Sequence, residues 1–256
     1  MNRFTGVNVL LTGAGSGIGR ATALRLVAEG AAVFAVDVSA EGLRGTAEAA
    51  GATGAAGMTG AGRLVPYPAD VADESAVVAA VEAAVRALGG LDVLINVAGI
   101  HRTTPIDRLT AEDMVRLFTV NTVGTALFCR EALRHLPDGT GVVVNVSSSS
   151  ATHGNPYMSA YSASKGAVLA FSLSLAAEVA HRGIRVVPVS PGTVATPLTS
   201  ADVLPADLDT SYYARIRSPL GAADPEQIAA TLAFAASRDA GYLTGAELRV
   251  DGGSHT

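Results

Sequence analysis

The sequence predicts a single α/β domain over residues 1–256, built as a doubly wound parallel β-sheet with helices on both faces. Three observations carry this expectation. Strand-like and helix-like segments alternate from one end to the other. The strand-like runs, such as residues 7–11 and 141–146, are apolar but for one asparagine each, close to the pattern of strands covered on both sides. No linker or shift in composition divides the chain.

In chain order, residues 7–11 read as a buried strand. It leads into Thr12-Gly13-Ala14-Gly15-Ser16-Gly17-Ile18-Gly19 and a helix over 20–29. Residues 32–36 are a second strand, closing on Asp37, and the alanine-rich 39–50 a second helix. Residues 51–62 place glycine at 51, 54, 57 and 60, the three-residue spacing of collagen, but without proline and for only four steps, so a flexible insertion is expected. A strand over 64–67 and a helix over 74–88 follow, then a strand over 91–95 closing on Asn96-Val97-Ala98-Gly99. Thr110 starts a helix towards His135, with Asp113 as a possible cap partner. The strand over 141–146 feeds Ser147-Ser148-Ser149-Ser150, and a helix over 167–180 follows Tyr161-Ser162-Ala163-Ser164-Lys165. A strand over 184–189, a long loop, a helix over 225–237 and a strand over 247–250 complete the chain.

Composition narrows the function. With 49% hydrophobic and 16% charged residues the chain is globular. A formal charge of −5 argues against nucleic acid or an anionic membrane as partner. Apolar runs are broken by charges or glycines before membrane-spanning length. Cys129 is the only cysteine, which rules out an internal disulfide, and no signal-peptide pattern precedes the first strand, so a cytoplasmic location is expected. The histidines at 101, 135, 153, 181 and 255 have no ligand-like spacing, and no metal is expected.

Lys165 is the only lysine; the other 17 of the 18 Lys and Arg residues are arginine. It follows Tyr161 by four residues, one turn along a helix face. An exposed cation beside a half-buried tyrosine is the ordinary meaning of such a pair. A chain that otherwise avoids lysine points instead to a position that needs a compact ammonium. The glycine cluster does not fit Gly-x-Gly-x-x-Gly, but it sits between a strand and a helix, where glycine lets a pyrophosphate approach the helix N-terminus. A glycine-rich turn without a ligand is the alternative. Asp37, 18 residues after Gly19, can accept bonds from two ribose hydroxyls and would repel a 2′-phosphate, or it is simply a turn or cap aspartate. Ser16, Val38 and Ser39 leave no adjacent arginine to invite that phosphate. Asp70, Val71 and Asn96 follow strands at the carboxyl ends where such sheets bind ligands. Asn121, a poor helix-interior residue, either marks a helix irregularity with a polar duty or faces solvent.

Gly13-x-x-x-Gly17-x-Gly19, Asn96-x-Ala98-Gly99, Asn121, Ser148, Tyr161-x-x-x-Lys165 and Pro191-Gly192, in this order, resemble the short-chain dehydrogenase/reductase family, a Rossmann-like fold. The resemblance covers essentially the whole chain, to Gly245 and the tail Val250-Asp251-Gly252-Gly253. Val97 departs from it, since the family often has a second asparagine there. The resemblance implies that Tyr161 is the acid/base and that Lys165 lowers its pKa and bonds the nicotinamide ribose. It implies that Ser148 holds the substrate oxygen and that Asn121 holds a relay water. Thr12, Gly13, Gly17, Ile18 and Gly19 would line the phosphate path, and Asp37, Asp70 and Val71 would surround the adenosine. Asn96, Ala98 and Gly99 would line the cofactor cleft, and Pro191, Gly192, Val194 and Thr196 would clamp the nicotinamide. Ser147, Ser149 and Ser150 read as turn residues without a site role.

The function expected is therefore hydride transfer between a small secondary alcohol or ketone and NAD. The rivals are a non-catalytic dinucleotide-sensing regulator and an NADP-dependent 3-oxoacyl thioester reductase. A regulator need not retain Ser148, Tyr161 and Lys165 together. A serine hydrolase would need a Gly-x-Ser-x-Gly elbow, and an epimerase or dehydratase usually needs a larger C-terminal region. The loop 193–220, with Pro197, Pro205 and Pro219 and with Leu198, Val203, Leu204, Leu208, Tyr212, Tyr213 and Ile216, is expected to be a mobile lid over a largely apolar, uncharged substrate. Residues 110–135 and 159–181 carry more apolar surface than one helix face needs, which together with the resemblance predicts a homotetramer.

Overall fold

Strand β1 (Asn8–Thr12) lies inside a seven-stranded sheet, third from one edge, in the computed structural model, which describes residues 2–53, 62–199 and 207–254. Helix α1 (Gly17–Ala28), β2 (Ala32–Asp37), α2 (Ala40–Thr53) and β3 (Arg63–Pro68) carry the chain outward to one edge. Helix α3 (Glu74–Leu88) returns it to β4 (Val93–Asn96) on the other side of β1. Then come α4 (Ala111–Phe118), α5 (Gly124–Ala132), β5 (Val142–Val146), α6 (Ser159–Val179), β6 (Arg185–Pro191), α7 (Pro225–Ala236) and β7 (Leu248–Val250). All pairings are parallel, in the order β3-β2-β1-β4-β5-β6-β7. The winding direction reverses between β1 and β4, and that reversal opens a crevice at the carboxyl ends of the strands.

The largely apolar runs are explained by two cores. Successive side chains on a strand point to opposite faces. Val9 and Leu11 pack with Leu26 and Leu232 on one face, while Leu10 packs with Val77, Val81 and Phe128 on the other. Pro66 and Pro68 fall on β3, an edge strand, where a missing N–H is tolerated.

Several expected bounds move. Helix α2 runs on through Thr53, so the first three residues of the expected flexible insertion are helical; residues 54–61 lie outside the described residues. The helix expected from Thr110 towards His135 is split by a wide π turn, Thr119–Val123. Thr110 does cap α4, its hydroxyl accepting from the Asp113 N–H at 3.1 Å. The Asp113 carboxylate does not return the bond but pairs with Arg102 at 2.6 Å. The helix expected over 167–180 begins at Ser159, which puts Tyr161 and Lys165 in its first two turns. The stretch Ser159–Arg182 is long and apolar enough to cross a membrane, but Lys165, Val168, Ser172, Leu175 and Val179 on its inner side are buried in the fold, which is the pattern of a core helix.

Candidate active site

The turn after β1 is tied to the turn after β4. The Thr12 hydroxyl, 1% exposed, accepts from the Val97 and Ala98 N–H groups, both at 3.2 Å. Thr12 therefore braces the phosphate turn from beneath instead of lining it, a correction to the expected role. Gly13 has φ +73°, and a Cβ there would lie 2.7 Å from the Ala98 nitrogen. A Cβ on Gly19 would lie 1.9 Å from the Gly13 oxygen, so only glycine lets α1 pack directly on the turn. Gly17 and Ile18 open α1, with Gly17 against the Thr196 side chain.

Asp37 closes β2 with its carboxylate over the glycine turn, accepting from Gly15 N–H and Ser39 N–H, each at 2.8 Å. It lines a hollow of about 650 Å³ with Gly15, Ser16, Arg20 and Arg44. The expectation that no arginine adjoins Asp37 was a statement about sequence neighbours, and the packing of α1 on α2 overturns it. Arg20 is occupied, donating to Gly15 O at 2.6 Å, Gly42 O at 3.2 Å and the Thr46 hydroxyl at 3.1 Å. Arg44 is exposed.

Asn96 does not line the cleft. Its amide turns into the core, where Nδ2 donates to Asn145 Oδ1 at 2.9 Å, and Asn145 in turn donates to the Ser172 hydroxyl at 2.9 Å. Strand parity is the cause: Asn96 points towards α5 and α6, so the next residue, Val97, takes the cleft position. Asp70 and Val71 stand at the carboxyl end of β3, where Asp70 accepts from Ala72 N–H at 2.9 Å and Val71 packs into the core against α3 and α5.

The chemistry-bearing groups meet at the ends of β4, β5 and β6. Ser148 stands beside the phenol of Tyr161 and accepts from the Ser150 hydroxyl at 2.9 Å. Lys165, 4% exposed, donates from Nζ to Val146 O at 2.9 Å, and the Ser147 hydroxyl holds Lys165 O at 2.8 Å. Ser147 and Ser150 thus position the pair, a role beyond the turn chemistry expected of them. Asn121 is fully buried in the π turn. Its Oδ1 accepts from Ile100 N–H at 2.8 Å, and its Nδ2 donates to Ile100 O at 3.0 Å and to the Ser164 hydroxyl at 2.9 Å. The irregularity expected at Asn121 is present, and its amide fixes the turn after Gly99. A Cβ on Gly99 would lie 3.1 Å from Asn121 Oδ1 and 3.2 Å from Lys165 Nζ, so little free space surrounds the ammonium.

The cleft also takes in Ile18, Gly99, Pro191, Gly192, Val194 and Thr196, as expected, Leu198 from the expected lid, and Val97, Ile100 and Thr199, which the sequence does not single out. Ala98 contributes its backbone, beside Gly13. Of the lid residues, Leu198, Tyr213 and Ile216 line a cavity next to the cleft. Val203 and Leu204 lie outside the described residues.

Burial pushes the Lys165 ammonium down to about 8 and the Tyr161 phenol up, with the Ser148 bond pulling the phenol back down. In the protein alone burial sets the direction of the Tyr161 shift, and Lys165, expected to lower it, is not among its causes. Among the described residues no cluster of His, Cys, Asp or Glu is arranged to hold a metal ion.

The donors fit a nicotinamide dinucleotide: a glycine turn that a Cβ would fill, a carboxylate beyond it, and a narrow cleft ending on Tyr161 and Lys165. A family model described as enoyl-(acyl carrier protein) reductase matches residues 13–255. The short-chain reductase protein NovJ of Streptomyces niveus is 40% identical over 249 residues, covering 95% of this chain and 92% of that protein. A short-chain dehydrogenase from Burkholderia cenocepacia J2315, solved in complex with NADP, has a TM-score of 0.87 at 35% identity, covering 99% of this chain and 100% of its own. A short-chain dehydrogenase from Mycobacterium paratuberculosis bound to NAD has a TM-score of 0.90 at 29% identity, covering 99% of each chain.

Proposed function

Because the chain belongs to the short-chain dehydrogenase/reductase family of oxidoreductases, we propose that it transfers a hydride between a secondary alcohol or its ketone and NAD, with Tyr161 as acid/base. The observation that carries the reading is the convergence of Ser148, Tyr161 and Lys165 in one cleft at the carboxyl ends of β4–β6. The glycine turn and α1 N-terminus would hold the pyrophosphate, Asp37 the adenosine ribose, and Pro191, Gly192, Val194 and Thr196 the nicotinamide. The nicotinamide, when bound, accepts or gives the hydride.

The chain's own residues handle the proton. Ser148, beside the phenol, holds the substrate oxygen next to Tyr161. Tyr161 takes the hydroxyl proton as the carbon is oxidised and returns it in the reverse direction. A buried phenolate is costly, and a positive charge close by offsets that cost, which is the role of Lys165. Asn121 holds the backbone that shapes this corner; its part in a relay water stays within the same proposal. The test is NADH formation from NAD and a panel of secondary alcohols, with the reverse reaction on the matching ketones. No turnover in either direction with either nicotinamide cofactor would leave the dinucleotide-sensing regulator.

Relatives hold either NAD or NADP, so the preference rests on Asp37. A carboxylate over the glycine turn favours ribose hydroxyls and repels a 2′-phosphate. Asp37→Ala is expected to lower kcat/KM for NAD about ten- to a hundredfold, the scale of losing hydrogen bonds to a charged group, and to narrow the discrimination against NADP. Parallel kinetics with the two cofactors measure this. The exposed Arg44 in the same hollow favours the second reading, an NADP-dependent 3-oxoacyl thioester reductase. A wild type more efficient with NADP than NAD would select it.

We also infer a homotetramer in the cytoplasm. Val115 and Val123, on and next to α4, and Leu173, on α6, are exposed large apolar side chains on neighbouring helices, a surface suited to a second copy. Light scattering at micromolar concentration should give four times the 25.7 kDa chain mass, and a monomer mass would reject the inference.

A further inference from the structure

Among the described residues, Tyr157 alone combines a side chain with a positive φ, +60°. A bulky residue is strained in that conformation, and such strain persists only where the surroundings impose it, most often at functional sites. Tyr157 precedes Met158, the cap of α6, and stands four residues ahead of Tyr161. Its backbone is held by the loop after β4, where Thr104 N–H donates to Tyr157 O at 2.8 Å.

Its side chain reaches the expected lid. The described part of that segment, from Asp207 on, contains a 3-10 turn over Thr210–Ile216. The Tyr157 hydroxyl donates to Asp209 O at 3.3 Å, and Asp209 caps the turn, its carboxylate accepting from Ser211 N–H at 3.0 Å. The Tyr157 ring also meets two rings of the turn edge-on: Tyr212 at 6.2 Å and 81°, and Tyr213 at 6.1 Å and 66°. Aromatic pairs of this geometry contribute beyond the area they bury. A second tie, the ion pair of Arg108 with Asp207, is exposed on both sides and correspondingly weak.

The turn matters because it walls a cavity of about 400 Å³. Tyr213 and Ile216 line that cavity from the lid, and Asn155 and Met158, on either side of Tyr157, line it from the body. The cavity shares Leu198 and Thr199 with the cleft that holds Tyr161. His101, also in its lining, stands edge-on to the Tyr161 ring, with centroids 4.7 Å apart at 76°. Met158, Leu198 and Ile216 give it the apolar character of a substrate pocket.

We propose that Tyr157 is a positioning residue that docks the turn Thr210–Ile216 on the body and so holds Tyr213 and Ile216 in place as one wall of the cavity. On this assignment Tyr157 sets how well the enzyme uses alcohols with an apolar part large enough to enter the cavity. The comparison of substrates rests on the oxidoreductase reading above; the docking does not.

The variants are Tyr157→Gly, Tyr157→Asn and Tyr157→Phe. Glycine and asparagine tolerate the positive φ and remove the ring, so neither adds backbone strain. Phenylalanine keeps the ring and removes the hydroxyl. Docking is read by limited trypsin digestion, with mass spectrometry of the cut after the exposed Arg217. Cleavage needs the segment to open locally, so its rate follows the population of the undocked turn. That cut should be at least about fivefold faster in both ring-less variants, the scale of the lost aromatic contacts, and should slow again in Tyr157→Phe. Turnover is read with 4-phenylbutan-2-ol and propan-2-ol, which share a reacting carbon and differ in the apolar tail. The ratio of their kcat/KM values should fall about five- to tenfold in the ring-less variants, through KM for the larger alcohol, and recover at least in part in Tyr157→Phe. Wild-type cleavage rates in both ring-less variants would overturn the proposal. Equal losses with the two alcohols would overturn it too, since they would place the effect of Tyr157 at the start of α6. Faster cleavage in the ring-less variants with no turnover of any alcohol by the wild type would leave the docking standing and sink the oxidoreductase reading.

Discussion

Lys165→Arg is expected to cut turnover by about two orders of magnitude or more, the scale of a general acid–base contribution, while the fold stays intact. The substitution keeps the charge, so a surface or purely electrostatic role would survive it. The site does not have room for the change. Nζ sits 2.9 Å from Val146 O, with Asn121 and Gly99 close on other sides. A guanidinium is wider, and its donors are fixed in a plane, so it cannot keep the Val146 bond and still face Tyr161 and a ribose. Tyr161→Phe should lose comparably, because it removes the group that carries the proton. Steady-state kinetics of NAD reduction, with circular dichroism as the folding control, check both. Near-normal turnover in Lys165→Arg would remove the main support for the mechanism.

Lys165→Met should be nearly inactive yet more stable than the wild type at pH 7, by on the order of 2 kcal/mol. The folded pKa of about 8 lies below the unfolded value of 10.5. Each unit is worth about 1.4 kcal/mol, so burying the ammonium costs roughly 3 kcal/mol, and losing the bond to Val146 O returns about 1 of these. The sign follows from proton linkage. Below about 8 both states hold the proton and the native state bears the full penalty. Between about 8 and 10.5 the native state has released the proton, so wild-type stability recovers and the advantage of methionine fades. Urea unfolding of both proteins at pH 7 and pH 10 would show this. An equal difference at the two pH values would mean that Lys165 is not desolvated as the structure has it. Removing an active-site ammonium thus stabilises the fold, the usual trade between stability and function.

The layered fold was legible because largely apolar runs between helical segments admit few arrangements, and Asn121 was legible as an irregularity because asparagine sits poorly inside a helix. Tyr161 and Lys165 stood out through spacing and through the rarity of lysine in this chain. What the sequence concealed depends on direction and on distant contacts. Asn96 and Val97 are neighbours, and which of them faces the cleft is a matter of strand parity, set by one residue of register. Arg20 and Arg44 reach the Asp37 hollow only because α1 and α2 pack side by side. Ser147 looks like a turn residue in sequence, and its bond to Lys165 exists only once the ends of β5 and α6 meet; the Ser150 bond to Ser148 is local, and only the placement of Ser148 beside Tyr161 gives it a site role. His101 gave no signal, since its ring partner is 60 residues away in the chain.

The π turn at Thr119–Val123 constrains how this chain can change over generations. Each residue in a helix advances the next by about 100°, with 3.6 residues per turn. Deleting one residue within Ala111–Phe118 or Gly124–Ala132 would rotate everything on one side of the deletion by that angle, and a deletion inside the wide turn would close the turn that presents Asn121. Phe128 and Cys129, both 0% exposed, would swing out of the core, or Asn121 would swing away from Ile100 and Ser164. An insertion does the same in the opposite sense. Substitutions on the exposed side, at Val115 or Thr119, carry no such rotation. The descendants of this sequence should therefore vary freely in the letters of that outer face, while the number of residues from 111 to 132 stays constant.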